Sequence, residues 1–501
     1  MWTTFRSASK PPPSKAILGS MEPKPVGLAR GTRDFGPSQM RRRKHVFQVL
    51  ESLFRKYGFG PLETPAMEQT ATLTGKYGEE GDRLIFHILN SGNFAEGIDA
   101  DTWAGSRQDP RKLLHGISEK ALRYDLTVPL ARYVSMNHGH LHFPFKRYQI
   151  QPVWRADRPQ KGRFREFVQC DADLVGYEVS LFHRAEFLQL YAEAFEALGF
   201  TDFAVKVNDR RLLALLAEWG GITQSWARLG LLLDKLDKQS WGSLEPELKG
   251  LGLGQEALSV LGGLYAEMNR QEGGRALDWA TFRAFWEARL QEAAGSGSAA
   301  LVLEGGRMAL EELDRMWPML LHAGKATDRL TFDPFLARGI DYYTGLVVEV
   351  VSPGLGLGSL GGGGYYQGLT AMFGYPDIVG MGISFGAERI VEGMEQLGLF
   401  QPFQGQEDFL LAYSFDDSME ANAQTWTSRW RSAGFDADWY QGTGKFKKAL
   451  EYARQNSMRW MVLFAPREWE QGEVTVLDVR EDRKTRMPPE GVADFLTSKR
   501  P

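Results

Sequence analysis

Apolar positions recur at helical spacing in the segment that follows Arg30-Gly31-Thr32-Arg33-Asp34-Phe35. Val46, Phe47, Leu50, Leu53 and Phe54 fall on one helical face, and Gly58 and Gly60 end the pattern. A short strand then runs into Thr64-Pro65. Residues 143–176 read as strand, interrupted by a polar loop at 156–162. A second amphipathic helix occupies 182–198 and closes at Gly199. Residues 211–325 change character: they are rich in Leu, Ala, Glu and Trp at helical period, broken by glycine-containing loops at 250–254 and 295–298, and read as a helical insertion. Strand character returns at 346–351, a glycine run fills 354–364, and a helix starts at Ala387. A Pro/Gln/Gly-containing linker at 401–406 precedes alternating strands (409–414, 461–464) and helices (419–432, 445–455), the pattern of a small α/β domain. No internal repeat is evident.

A chain of 501 residues exceeds one ordinary core, and 43% hydrophobic with 24% charged residues is a globular composition. No apolar run approaches the roughly 18–20 residues needed to span a bilayer, so no membrane role is expected. The single cysteine, Cys170, excludes an intrachain disulfide and a cysteine-cluster metal site, and fits a reducing, cytoplasmic setting. Cys170 reads as a buried strand residue. Residues 1–27 read as a disordered leader: Arg6, Lys10 and Lys15 occur without an acid in the first twenty residues, as in a transit peptide, but Pro11-Pro12-Pro13 interrupts any amphipathic stripe. The net charge of −4 requires any nucleic-acid partner to be held by local basic patches.

One such patch stands out. Between Lys146 and Arg165 there are seven Lys/Arg and one acid. Alone, the run reads as a solvated cationic hairpin. Here Arg155, Arg158, Arg163 and Arg165 flank a Pro-Gln-Lys-Gly turn, with Trp154, Phe164 and Phe167 to anchor the strands. That arrangement suits guanidinium forks held rigidly for phosphate.

The stretch from Trp154 to Phe167 resembles motif 2 of class II aminoacyl-tRNA synthetases, in the form carried by histidyl-tRNA synthetases. Four further segments resemble that family in the right order. Leu62-Glu63-Thr64-Pro65 with its preceding helix is similar to motif 1, and the segment from Ala121 to Arg132 to the amino-acid-binding segment. Leu336-Ala337-Arg338-Gly339-Ile340-Asp341-Tyr342-Tyr343 is similar to the histidine signature, and the segment from Gly382 to Ile390 to motif 3. Motifs 2 and 3 say only class II; Arg-Gly-Ile-Asp-Tyr-Tyr says histidine.

The resemblance implies an α+β catalytic domain with a mostly antiparallel six-stranded sheet flanked by helices, a helical insertion and a C-terminal α/β anticodon-binding domain. The expected bounds are 28–210 and 326–400 for the catalytic parts, 211–325 for the insertion and 407–501 for the C-terminal domain. It implies a homodimer built through motif 1. The implied activity joins histidine to its tRNA with ATP, accompanied by Mg²⁺, and needs no dedicated metal cluster.

It also implies site roles. Arg155 contacts the α-phosphate and the histidine carboxylate, Arg163 lies toward the outer phosphates, and Arg389 holds the triphosphate. Arg338 is the catalytic arginine. Asp125, Thr127 and Gln169 face the α-amino group; Asp173 and Tyr343 hold the ring nitrogens, and Tyr342 lines the pocket. Arg158 and Gln160 in the motif 2 loop, with Lys447 and Lys448 in the C-terminal domain, are the candidate tRNA contacts, although a solvated helix face accounts for the two lysines nearly as well.

Read singly, these residues are ordinary: Asp173 a strand-edge surface carboxylate, Tyr342 and Tyr343 core aromatics, the glycine run a flexible linker. The family typically has Gly-Gly-Arg-Tyr-Asp where this chain has Gly363-Gly364-Tyr365-Tyr366-Gln367. A second reading is a non-catalytic relative, similar to the regulatory subunit of ATP phosphoribosyltransferase. That relative lacks a C-terminal α/β domain and usually loses the motif arginines present here.

Overall fold

The computed structural model describes residues 27–75, 82–159, 162–222, 226–237, 239–269, 276–295, 297–322, 327–337, 342–400, 406–441, 445–456 and 458–499. The leader at 1–26, the linker residues 401–405, Gln160 and Arg338 lie outside them. Two compact units divide between Gly393 and Met394. Among the described residues, no helix is long and apolar enough to cross a membrane.

The first unit is built on an eight-stranded sheet where six strands are expected from the sequence. Its antiparallel core is β5 (Phe145–Trp154), β6 (Glu166–Gly176), β11 (Val379–Gly386), β10 (Ser359–Tyr366), β9 (Tyr343–Val351) and β7 (Ala204–Asp209), in that spatial order. The two additional strands are short and parallel to their neighbours: β1 (Gly60–Pro61) beside β5, and β8 (Leu330–Phe332) beside β7. Two- and three-residue strands carry too little alternation to be read from sequence. A separate three-stranded sheet joins β2 (Met67–Gln69), β4 (Lys120–Leu122) and β3 (His87–Ile88).

The helices Pro37–Lys56 and Leu181–Ala197 cover one face of the large sheet. Val46, Leu50 and Phe54 of the first are fully buried, and Phe54 and Tyr191 pack on Phe385 of β11 with ring centroids 5.8 and 4.8 Å apart. Truncating a buried phenylalanine of this kind costs about 3–5 kcal/mol. The second helix starts where Ser180 accepts a hydrogen bond from the His183 amide (3.3 Å) and ends before Gly199, whose φ of +86° only glycine adopts without strain. Among the described residues, six α-helices follow β7, from Arg210–Trp219 to Ala300–His322.

From Ser359 on, the glycine run is a strand rather than a linker. Gly361–Gly364 lie in the middle of β10, hydrogen-bonded on both sides. A Cβ at Gly363 would sit 2.3 Å from the Gly382 carbonyl oxygen, and one at Gly364 would sit 2.7 Å from that of Leu346. Close backbone approach, not flexibility, is the use of these glycines.

The second unit has a five-stranded sheet in the order β13 (Ala437–Trp439), β12 (Gln406–Ser414), β14 (Met458–Phe464), β15 (Val474–Asp478), β16 (Arg483–Met487). The first three strands are parallel and the last two antiparallel. Alternation sorts its two faces: Leu410, Ala412, Val462 and Phe464 pack with Trp426 and Trp430 of the helix Glu420–Ser432, while Leu411, Tyr413, Met461 and Leu463 pack with Ala449 and Ala453 of Phe446–Gln455.

Candidate active site

Period-two alternation along β6 builds the floor of the site. Cys170, Ala172 and Leu174 turn to the apolar core and are fully buried. Gln169, Asp171 and Asp173 turn to the opposite face and line a cavity of about 690 Å³. On β5 their cross-strand neighbours are Gln151, Gln149 and Arg147; on β11 they are Gly386, Ser384 and Gly382. Small residues on β11 leave the room: a Cβ at Gly382 would sit 1.9 Å from Asp173 Oδ1.

Asp173 is 2% exposed, so it is not a surface carboxylate. Arg147 Nη2 lies 2.7 Å from its Oδ2, and the Tyr366 hydroxyl donates to its Oδ1 at 3.0 Å. Arg147 also donates to the Leu126 carbonyl at 3.2 Å. Burial pushes the Asp173 carboxyl above its usual range, and the Arg147 guanidinium opposes that shift. The Asp171 carboxyl is pushed up to about 7, chiefly by burial. Burial and the carboxylates of Asp173, Asp171 and Asp125 push the Tyr343 phenol up, which keeps it a neutral donor. Asp125 lies beneath the cavity lining. Its Oδ1 accepts from the Val128 amide at 3.1 Å, and its Oδ2 from the Tyr342 hydroxyl at 3.3 Å.

The opposite end of the cavity is cationic. Arg155 Nε donates to the Tyr124 carbonyl at 3.1 Å, and its guanidinium lies 4.3 Å from the centre of the Tyr124 ring and 5.2 Å from that of Phe167. The stacked, tethered head is therefore aimed before any anion arrives. Arg389 donates to the Ser359 carbonyl at 2.6 Å and to that of Gly162 at 3.4 Å, which ties the helix Ala387–Gln396 to the loop between β5 and β6. That loop is closed by Arg155 N donating to Arg165 O at 2.9 Å. Arg33 stacks on Phe164 from outside, 3.8 Å from the ring centre.

Of the residues singled out from sequence, Thr127, Arg155, Arg163, Gln169, Asp173, Tyr342, Tyr343 and Arg389 line this one cavity. Arg158 is exposed and outside its lining. Lys447 and Lys448 are exposed on the helix Phe446–Gln455 of the second unit. Sequence reasoning missed Asp171, Ser384 and Arg147. The signal was present in Gln169-Cys-Asp-Ala-Asp173, where every second residue is polar within an otherwise buried strand. Among the described residues, no group of three or more His, Cys, Asp or Glu is arranged to hold a metal ion.

The chain carrying this cavity has relatives among known proteins. Residues 116–390 match the model of the family described as histidyl-tRNA synthetase, and residues 406–499 match an anticodon binding domain. The histidine–tRNA ligase of Cytophaga hutchinsonii is 42% identical over 445 residues, covering 89% of this chain and 93% of the relative. That of Christiangramia forsetii is 40% identical over 479 residues, covering 94% and 98%. The crystal structure of histidyl-tRNA synthetase from Nostoc sp. PCC 7120 superposes with a TM-score of 0.75 at 23% identity, covering 95% of this chain and all of that one, a likeness of fold. With residues 116–390 matched by the family model and 89–94% of its length paralleled in these relatives, the chain belongs to the histidyl-tRNA synthetase family.

Proposed function

We propose that the protein is a histidine–tRNA ligase: it activates L-histidine with ATP to histidyl-adenylate and pyrophosphate, then transfers histidine to the 3′ end of its tRNA. The observation that carries this reading is the single cavity joining a stacked arginine, Arg155, to the buried polar floor of β6. The histidine carboxylate attacks the α-phosphorus of ATP, and negative charge grows on the phosphate oxygens. A ribose hydroxyl of the tRNA then attacks the activated carbonyl. Neither step needs a protein nucleophile; positioning and fixed positive charge supply the rate.

Arg155 bridges the α-phosphate and the carboxylate, while Arg163 and Arg389 take the outer phosphates. Arg338 supplies the remaining positive charge at the reacting centre. Asp125, Thr127 and Gln169 take the α-ammonium. Asp173 and Tyr343 take the imidazole nitrogens, and Tyr342 packs beside the ring. A pocket that pairs both ring nitrogens rejects apolar amino acids, because its own buried polar groups would be left unpaired. Mg²⁺ would enter as the ATP complex and neutralise phosphate charge there; Glu349 and Glu388 line the cavity and would offer it oxygen donors, Glu388 only through Oε2 because Arg43 Nη1 holds its Oε1 at 2.8 Å. Arg158, Gln160, Lys447 and Lys448 contact tRNA, and two copies pair through the motif 1 region.

Histidine-dependent exchange of pyrophosphate into ATP, followed by charging of histidine tRNA, tests the reading. Exchange supported equally by other amino acids, or by none, overturns it. In the same assay Arg338→Ala should lower kcat about 10²–10³-fold with a smaller change in the KM for ATP; near-normal exchange would remove Arg338 from the reacting centre.

A further inference from the structure

Among the described residues, two acceptor oxygens on the cavity floor have no hydrogen-bond partner although both are buried: Gln169 Oε1 and Asp171 Oδ1. They belong to residues two apart on the same face of β6, so they look into the same space. One hydroxyl links them. Gln169 Nε2 donates to Ser384 Oγ at 3.1 Å, and Ser384 hydrogen-bonds the Asp171 carboxyl. Asp171 itself is 2% exposed. Its neighbour Asp173 is differently placed: Arg147 takes one of its oxygens and Tyr366 the other.

An unpaired buried acceptor is costly, and a carboxylate oxygen more so than an amide oxygen. Natural structures seldom carry two side by side without a ligand that satisfies them. The chemistry of that ligand follows from the pair. An imidazole offers one N–H in its neutral form and directs it along one line. An ammonium offers three N–H donors from one atom and carries the charge that stabilises an ionised carboxylate. Two neighbouring acceptors, one anionic, match an ammonium.

We infer that Asp171 is a further substrate-contacting residue, which accepts a hydrogen bond from the α-ammonium of the amino acid beside Gln169. The inference rests on histidine being the substrate. It adds a carboxylate to the ammonium subsite and separates the two aspartates of β6 by role: Asp173, already ion-paired, belongs to the ring end, and Asp171 to the amino end. Ser384 is a positioning residue, since it holds both acceptors in one orientation.

Two inhibitors separate the possibilities. Histidinol keeps both ammonium and imidazole; imidazole-propionate keeps the imidazole and carboxylate and lacks the ammonium. Inhibition constants for both, against histidine in pyrophosphate exchange, are measured for the wild type and for Asp171→Asn. Loss of a hydrogen bond to a charged group corresponds to about a tenfold to hundredfold loss of affinity. The expected result is that loss for histidinol, little change for imidazole-propionate, and a KM for ATP within about twofold of wild type. Equal weakening of both inhibitors places Asp171 at the ring or in the fold and overturns the inference, as does unchanged affinity for both. Asp171→Ser, which removes the carboxylate without adding bulk, provides the same ratio should the Asn protein not fold; failure of both to fold counts against it. A wild type that shows no histidine-dependent exchange instead removes the substrate reading itself.

Discussion

Gln367 Nε2 donates a hydrogen bond to the Tyr365 hydroxyl at 3.0 Å. These are the two positions at which the family typically carries Arg and Asp, so a neutral pair occupies the place of two opposite charges. Tyr365 also sits against cations: the Arg184 guanidinium lies 4.4 Å from its ring centre. Arg184 and Arg211 both reach Glu312, at 2.7 and 2.5 Å. Tyr365→Arg alone would bring a third guanidinium to that carboxylate. Gln367→Asp alone would add an anion whose natural partner is missing. Each single change should therefore cost stability or kcat/KM, by well under the roughly 3–5 kcal/mol of a fully buried broken pair because Gln367 is exposed. The double substitution should recover much of the loss, with a coupling energy of about 1 kcal/mol or more in a double-mutant cycle. Additivity within about 0.5 kcal/mol would mean the positions act independently.

The ion pair between Arg147 and Asp173 is the most deeply buried at the site, with side-chain exposures of 0% and 3%. Arg147→Met should lower unfolding free energy by about 3–5 kcal/mol, since it leaves a buried carboxylate without its cation. Arg147→Met combined with Asp173→Asn should regain much of that stability in urea titrations while histidine activation stays lost. A double variant no more stable than the single one would show that Arg147 is held mainly by its bond to the Leu126 carbonyl.

Residues 406–499 match an anticodon binding domain, and the second unit has its own two-faced core. Ending the chain after residue 400 should therefore spare pyrophosphate exchange and reduce tRNA charging at least tenfold. Loss of exchange in a folded truncated protein would show that the second unit supports histidine activation directly.

The long elements were legible because each rests on many residues repeating one period. Val46, Leu50 and Phe54 declare their helix, and residues 143–176 declare their strands. What escaped had a different cause. The strand nature of Gly361–Gly364 depends on how close the Gly382 and Leu346 carbonyls approach, a tertiary fact that composition cannot express. Arg147 reads as one more cation of a basic run until pairing of β5 with β6 sets it across from Asp173. The polar face of β6 suggested Asp173 through the family's pattern, yet Asp171 stands out only when its partners are counted.

That residue also carries a pH signature. Burial pushes the Asp171 carboxyl up to about 7; Asp173 of the same strand and Asp125 add to the shift, while Arg147 of β5 and the Ser384 hydroxyl of β11 oppose it. Its value in the unfolded chain is about 3.9. The folded state therefore binds more protons between about pH 4 and 7, and stability falls as pH rises through that window, with the deficit complete above about 7. Asparagine cannot ionise, so Asp171→Asn should escape the penalty: its stability relative to wild type should be greater at pH 8 than at pH 5 by at least about 1 kcal/mol, and the remaining advantage should vanish only near pH 4. An ammonium arriving at the ionised carboxylate releases the proton held there, so wild-type affinity for histidinol should rise with pH up to about 7, and that rise should flatten in Asp171→Asn. Urea titrations and inhibition constants at the two pH values test both statements. A variant less stable than wild type at pH 8 would mean that the carboxylate contributes to the fold, because a site evolved to receive a cation should gain stability when its unpaired charge is removed.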